Sequence, residues 1–238
     1  MADAMTLLSF GPEGWGDELA AGAWLTIRLA LATVPVGLVC GFLLALGRNS
    51  ENRYLRASCD AFTTVFRGLP ELLTLFIVYY GGQLLLQRFV LLFSDIDIQI
   101  HQFLAGLIAL SLVFMSFASE VFLGALRAVP KGQPEAAMAL GLKHRQTMVL
   151  VIFPQLMRHA LPGLSNLWLS LVKDTSLVSV IALTDLLRQT SIAVGVTKQP
   201  FLFYSVACLI YLALSMVSSI GLTGIERWAD RGMRGNRR

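Results

Sequence analysis

Three stretches of this chain, Leu29–Gly47, Gln102–Ser119 and Gln199–Ile225, contain no Asp, Glu, Lys or Arg. An apolar run of roughly 18 or more residues is long enough to cross a bilayer as a helix. In hydrocarbon every backbone N–H and C=O must be satisfied within the protein, which a helix does for itself. That feature sets aside soluble enzymes, disordered chains and secreted disulfide scaffolds together. Composition agrees: of 238 residues, 55% are hydrophobic and 14% are charged, where a soluble domain carries roughly 25% charge.

Five spans are predicted, at about 20–46, 66–87, 103–126, 160–187 and 200–223. They divide the chain into an outer segment 1–19, a membrane domain 20–225 and a basic tail 226–238. One set of connections carries most of the 19 basic residues. It holds Arg48, Arg53, Arg56 and Arg67, then Arg127, Lys131, Lys143, Arg145 and Arg158, and then the tail Arg227, Arg231, Arg234, Arg237 and Arg238. The opposite set holds Arg88, Arg188 and Lys198. Basic loops stay in the cytoplasm, so the N-terminus is expected outside and the C-terminus inside. Met1–Leu19 has four acids and no base, the reverse of a signal-peptide n-region. The net charge of +4 follows from topology, and no basic stripe interleaved with aromatics points to nucleic acid. Cys40, Cys59 and Cys208 are too scattered for a disulfide framework, and His101, His144 and His159 lack metal-ligand spacing. Trp15 and Trp24 read as interfacial belt residues, and Arg28 can snorkel to the headgroups.

The connection at about 127–159 is longer than an ordinary helix–helix link and is not low-complexity. Pro134 and Glu135 suit a helix N-terminus, Gly141 a stop, and Lys143–Phe153 a second helix ended by Pro154. A compact helix-turn-helix on the cytoplasmic side, with little core of its own, implies a partner surface. The other reading is an amphipathic loop resting on lipid headgroups.

Within that loop the residues run Glu135-Ala136-Ala137, three residues, Gly141, nine residues, Val151-Ile152-Phe153-Pro154. This resembles the EAA loop of ATP-binding-cassette (ABC) importer permeases, E-A-A, three residues, G, nine residues, I-x-L-P. Arg67-Gly-Leu-Pro-Glu-Leu-Leu73, Tyr79-Tyr80-Gly81, Val129-Pro-Lys-Gly-Gln133, Ala160-Leu-Pro162 and Lys173-Asp-Thr-Ser-Leu177 resemble the branch for polar amino acids, which takes up histidine, glutamine, arginine and opines. The resemblance implies an all-α fold, with five transmembrane helices and a cytoplasmic helix-turn-helix coupling loop, as in type I ABC importer permeases. It implies a bacterial inner-membrane subunit paired with a second permease, in the histidine/opine subgroup a different chain. Two cytoplasmic ATPases drive such a pair, and an external substrate-binding protein delivers the solute. Glu135, Ala136, Ala137 and Gly141 would then couple the permease to the ATPase dimer. The chain has no G-x-x-x-x-G-K-[ST], so ATP and Mg would be held by the ATPase partner, and no cofactor is expected in this chain.

Ionisable groups at membrane depth are functional candidates by default. Arg67 and Glu71, four apart, are expected to pair on one helix face, with a gate as the alternative. Glu120 follows Ser116 by one turn and could receive a cationic group or bond a neighbouring helix. Asn166, Ser170 and Lys173 fall on one helix face with Asp174 about 100° round, as a pathway lining or a permease–permease interface. Lys173 could meet a substrate carboxylate, and Asp174 could pair with Lys173 of the facing chain or bond Thr175 or Ser176. Many relatives have Asn-Glu where this chain has Asn166-Leu167, which shifts the expected charge contact toward the partner permease. An ion-gradient-driven secondary transporter and a non-transporting membrane scaffold are the competing classes. A gradient-driven transporter is disfavoured by the structured loop and the lack of an inverted repeat.

Overall fold

The structure is a computed structural model and describes residues 4–91 and 99–230. Every regular element among them is helical. After a single turn at Ala4–Leu7, α1 runs over Gly16–Arg48, α2 over Arg53–Gly68 and α3 over Glu71–Leu91. Then come α4 (Gln102–Ala128), α5 (Gly132–Ala139), α6 (His144–Ile181), α7 (Leu186–Thr197) and α8 (Pro200–Asp230). Helices α1, α3, α4 and α8 are each long and apolar enough to cross a membrane, and α6 with α7, bent by 51° at the break between them, makes a fifth if the pair is counted as one span. Four of the five expected spans are thus single helices among the described residues, and the fourth in chain order is a bent pair. The basic residues beyond Asp230 in the expected tail lie outside the described residues.

Helix α1 has Asp17 and Glu18 in its first turn and Arg48 in its last, charges that complement the helix dipole. It packs on α4 through a Gly37-x-x-x-Gly41 pair. A Cβ on Gly37 would lie 2.4 Å from Phe114 Cδ1, and one on Gly41 would lie 2.9 Å from the Met115 carbonyl oxygen. Only glycine permits that approach, the small-x-x-x-small device of membrane helices. Leu29 faces Gly106, Gly37 faces Phe114 and Gly41 faces Ala118, so α1 and α4 run parallel. Helix α6 runs antiparallel to α4, with Gly163 against Val121 and Val178 against Gly106. These three helices enclose the main core, which includes Leu29, Ala109, Phe114, Ala118, Leu156 and Val178.

Several local expectations change. The second span does not begin at 66. Helix α2 is a separate polar helix capped by the Asn52 side chain, which accepts from Tyr54 N at 3.0 Å. It ends at Gly68, and Leu69 and Pro70 are extended (ψ 142° and 134°) before Glu71 starts α3. The residue before a proline is pushed out of the helical region, which is why the break falls there. Pro134 lies inside α5 rather than at its first position, because the helix starts at Gly132. Pro154 does not end a helix either. A π-turn at Met148–Ile152 precedes it, and Pro154 sits in the first turn of Phe153–Asp174, where its missing N–H costs little. The fourth span tightens after Asp174 to a 3₁₀ turn, Thr175–Ile181, and ends on left-handed Ala182 at φ 63°. Asp185, buried, then caps α7 by accepting from Arg188 N at 3.0 Å and Leu187 N at 3.3 Å. Trp15 is half-buried and packs edge-on against buried Phe203 at 6.5 Å, whereas Trp24 is 59% exposed.

Candidate functional site

Most of the polar residues singled out in the spans lie in two places. The first is a cavity of about 280 Å³ lined by α3, α4 and α6. Glu71 enters it from the first turn of α3, and Asn166, Ser170 and Asp174 from successive turns of α6. Phe114 and Phe117 of α4 form the facing wall. The α4 residues that line it, from Leu110 to Phe117, lie in the middle of a helix spanning Gln102–Ala128. Glu71 and Asp174 both line the cavity, and no base is among the lining residues. Two acids and two phenylalanines line one cavity, a lining whose chemistry suits a cationic group.

Lys173 is not part of this lining. It is exposed on the outside of the bundle, because one residue's rotation along α6 carries it away from the face of Asn166, Ser170 and Asp174. Ser116 is fully buried and donates to its own helix at Leu112 O, 2.8 Å, so it does not reach the cavity.

The second place is a charge cluster one turn further along α4. Arg67 does not pair with Glu71. The extended Leu69–Pro70 link breaks the helix between them, and Arg67 Nη1 instead reaches Glu120 Oε2 at 2.6 Å. Arg48 Nη1 donates to the same oxygen at 2.8 Å, and Arg48 Nε donates to Asp60 Oδ1 at 2.7 Å. The Arg67 guanidinium also lies over the Phe117 ring, 5.7 Å from its centroid. Glu120 therefore meets two arginines of this chain, and Glu71 shares the cavity with Asp174 instead of pairing with Arg67.

At the end of the bundle where α1 and α4 finish, α5 stands out as a short projecting helix. Ala137 is buried against the bundle, while Glu135 and Ala136 are exposed, Met138 is 49% exposed and Leu140 84%. The helix closes in a Schellman motif: Leu142 N donates to Ala137 O (3.1 Å) and Gly141 N to Met138 O (2.9 Å), with Gly141 at φ +85°. Gln155 Nε2 donates to Gln133 Oε1 at 3.3 Å and ties α5 to α6. The turn expected at Gly141 is thus present, and the helix offers a small, partly apolar face.

The sequence reading missed Phe117, Gly37 and Gly41, and the Arg48–Asp60 pair. The Gly-x-x-x-Gly spacing was visible in the chain, and Arg48 stood as a charge closing an apolar span. The Phe117 wall had no sequence signal, since phenylalanines are common throughout these helices.

A bundle of helices long and apolar enough to cross a membrane, around a cavity lined by two acids and with a short helix projecting at one end, is the architecture of a membrane permease. Residues 37–235 match the family of binding-protein-dependent transport system inner membrane components, and the chain belongs to that family. It is 42% identical to the nopaline transport system permease protein NocQ of Agrobacterium fabrum over 97% of this chain and 98% of the relative. It is 40% identical to the arginine ABC transporter permease protein ArtQ of Escherichia coli over 90% of this chain and 95% of the relative. A crystal structure of an amino acid ABC transporter with histidines superposes with a TM-score of 0.77 at 30% identity, covering 90% of this chain and 94% of that one. The chain is a transport permease subunit of the bacterial inner membrane with the all-helical ABC importer permease fold.

Proposed function

We propose that this subunit admits a cationic polar amino acid or opine to the mid-span cavity, and that α5 couples the movement to ATP hydrolysed by a cytoplasmic ATPase dimer. The observation that carries the substrate class is the convergence of Glu71 and Asp174 on one cavity whose lining has no base. An amino acid side-chain cation would meet both carboxyls, and its apolar stem would lie on Phe114 and Phe117. Acids from this chain itself supply the charge that Asn166-Leu167 lacks, so the reading gives this subunit, and not the sister chain alone, a part in the substrate site. Relatives that carry the names of nopaline, octopine and arginine transport support the same solute class.

Charge asymmetry supports an orientation with α5 and the C-terminus in the cytoplasm and the start of α1 outside, where a binding protein would deliver the solute. Glu135 and Ala136 face outward on α5; the acid suits a charged cleft and the alanine a close approach. Lys173, exposed on a span, would be costly against lipid, which supports a second permease covering that face.

The test is to co-express the chain with its sister permease and ATPase, purify in mild detergent, and compare Glu135→Arg with wild type. The expected result is loss of the ATPase from the variant while the permease pair stays assembled, with ATP-driven uptake in proteoliposomes only for wild type. Gradient-driven uptake by the permease without an ATPase would overturn the reading in favour of a secondary transporter.

A further inference from the structure

The cavity and α5 leave one conspicuous group of charges without a role. Arg48, Asp60, Arg67 and Glu120 bring α1, α2 and α4 together in a balanced cluster, and its members differ in how they are held. The Arg48 side chain is 11% exposed, whereas those of Arg67 and Glu120 are 38% and 43% exposed. An exposed ion pair is readily parted, while stripping a buried guanidinium of its partners is strongly unfavourable. Arg48 therefore anchors the cluster and Arg67 is its releasable arm. Because Glu120 also accepts from Arg48, Arg67 can leave without stranding a carboxylate.

Arg67 stands where movement is easiest. It is the penultimate residue of α2, a helix that buries only Thr63, and the extended Leu69–Pro70 link follows directly. It also touches the cavity wall, since its guanidinium covers Phe117, which lines the cavity together with Glu71. Glu120 lies one turn beyond Phe117 along α4, toward the end that carries α5.

On the importer reading given above, we infer that the Arg67–Glu120 pair is the latch of a gate on the α5 side of the cavity. Parting it frees the last turn of α2, beside the Leu69–Pro70 link, to move off Phe117, while Arg48 stays bound to Glu120 and to Asp60. Arg67 and Glu120 are positioning residues that set when the cavity opens toward the cytoplasm. They do not contact the solute.

The test uses the intact complex of this chain with its sister permease, ATPase and binding protein in proteoliposomes, with Cys40, Cys59 and Cys208 replaced by alanine. Arg67→Cys/Glu120→Cys is joined by a reducible bis-methanethiosulfonate. Cross-linking is expected to lower ATP-driven uptake at least tenfold and reductant to restore it; a linked transporter that works at the unlinked rate overturns the latch. If the double variant is inactive before linking, Arg67→Gln decides. It is expected to raise ATP hydrolysis without binding protein at least threefold, with Arg67→Lys returning it to wild type, and hydrolysis unchanged from wild type overturns the proposal. Absence of ATP-driven uptake by the wild-type complex would refute the importer reading itself, a different outcome from an intact transporter indifferent to the link.

Discussion

Glu71 and Asp174 reach the cavity from the first turn of α3 and from the last α-helical turn of α6 before its 3₁₀ segment, and no base shares the lining with them. A hydrogen bond to a charged group contributes about 1.5–3 kcal/mol, so losing one carboxylate is a change of roughly tenfold or more. Glu71→Gln and Asp174→Asn are each expected to lower uptake of a cationic amino acid about tenfold and to affect a zwitterionic one less, as measured by competition uptake in proteoliposomes. Equal losses for both solutes would assign the two acids to structure alone. At this scale the sequence showed which residues were unusual, because an ionisable side chain in an apolar span is conspicuous. It did not show their partners. The i,i+4 spacing of Arg67 and Glu71 suggested one pair, and the chain instead joins Arg67 to Glu120 and turns Glu71 with Asp174 into one cavity.

At the scale of elements, helix contact here depends on small residues. Between membrane helices there is no hydrophobic driving force to exploit, so van der Waals approach decides which faces meet. Gly41 lies against the backbone of α4, where a side chain can only be accommodated by moving a helix. Gly41→Val is expected to destabilise the α1–α4 packing by about 1–3 kcal/mol and to lower the thermal midpoint of the detergent-purified complex. Gly195→Ala, with no atom within 4 Å of the added Cβ, is the control and is expected to leave it unchanged or higher. The helices themselves were legible as uncharged runs. Their ends were less so, since the extended link at Leu69–Pro70 and the π-turn before Pro154 both arise where proline chemistry meets packing.

For the whole molecule, orientation and assembly are the open physical consequences. The clustering of basic residues at the α5 end is the ground on which an outside N-terminus is proposed. With the native cysteines removed, Glu13→Cys is expected to react with an impermeant maleimide in intact spheroplasts, and Glu226→Cys only after permeabilisation. The opposite labelling pattern would reverse the topology and move α5 out of reach of any cytoplasmic ATPase.

The sequence by itself determined that the chain lives in a membrane, how many times its apolar stretches can cross, and where its loop helix turns at Gly141. Those properties are local, fixed by hydrocarbon thickness, backbone satisfaction and the φ that glycine tolerates. Only the tertiary structure decided that Glu71 joins Asp174 around a cavity, that Lys173 faces outward, and that Glu120 collects two arginines. Each of these depends on how one helix is rotated and offset against another. That choice is made by close packing at positions such as Gly37 and Gly41, far along the chain from the charges it brings together.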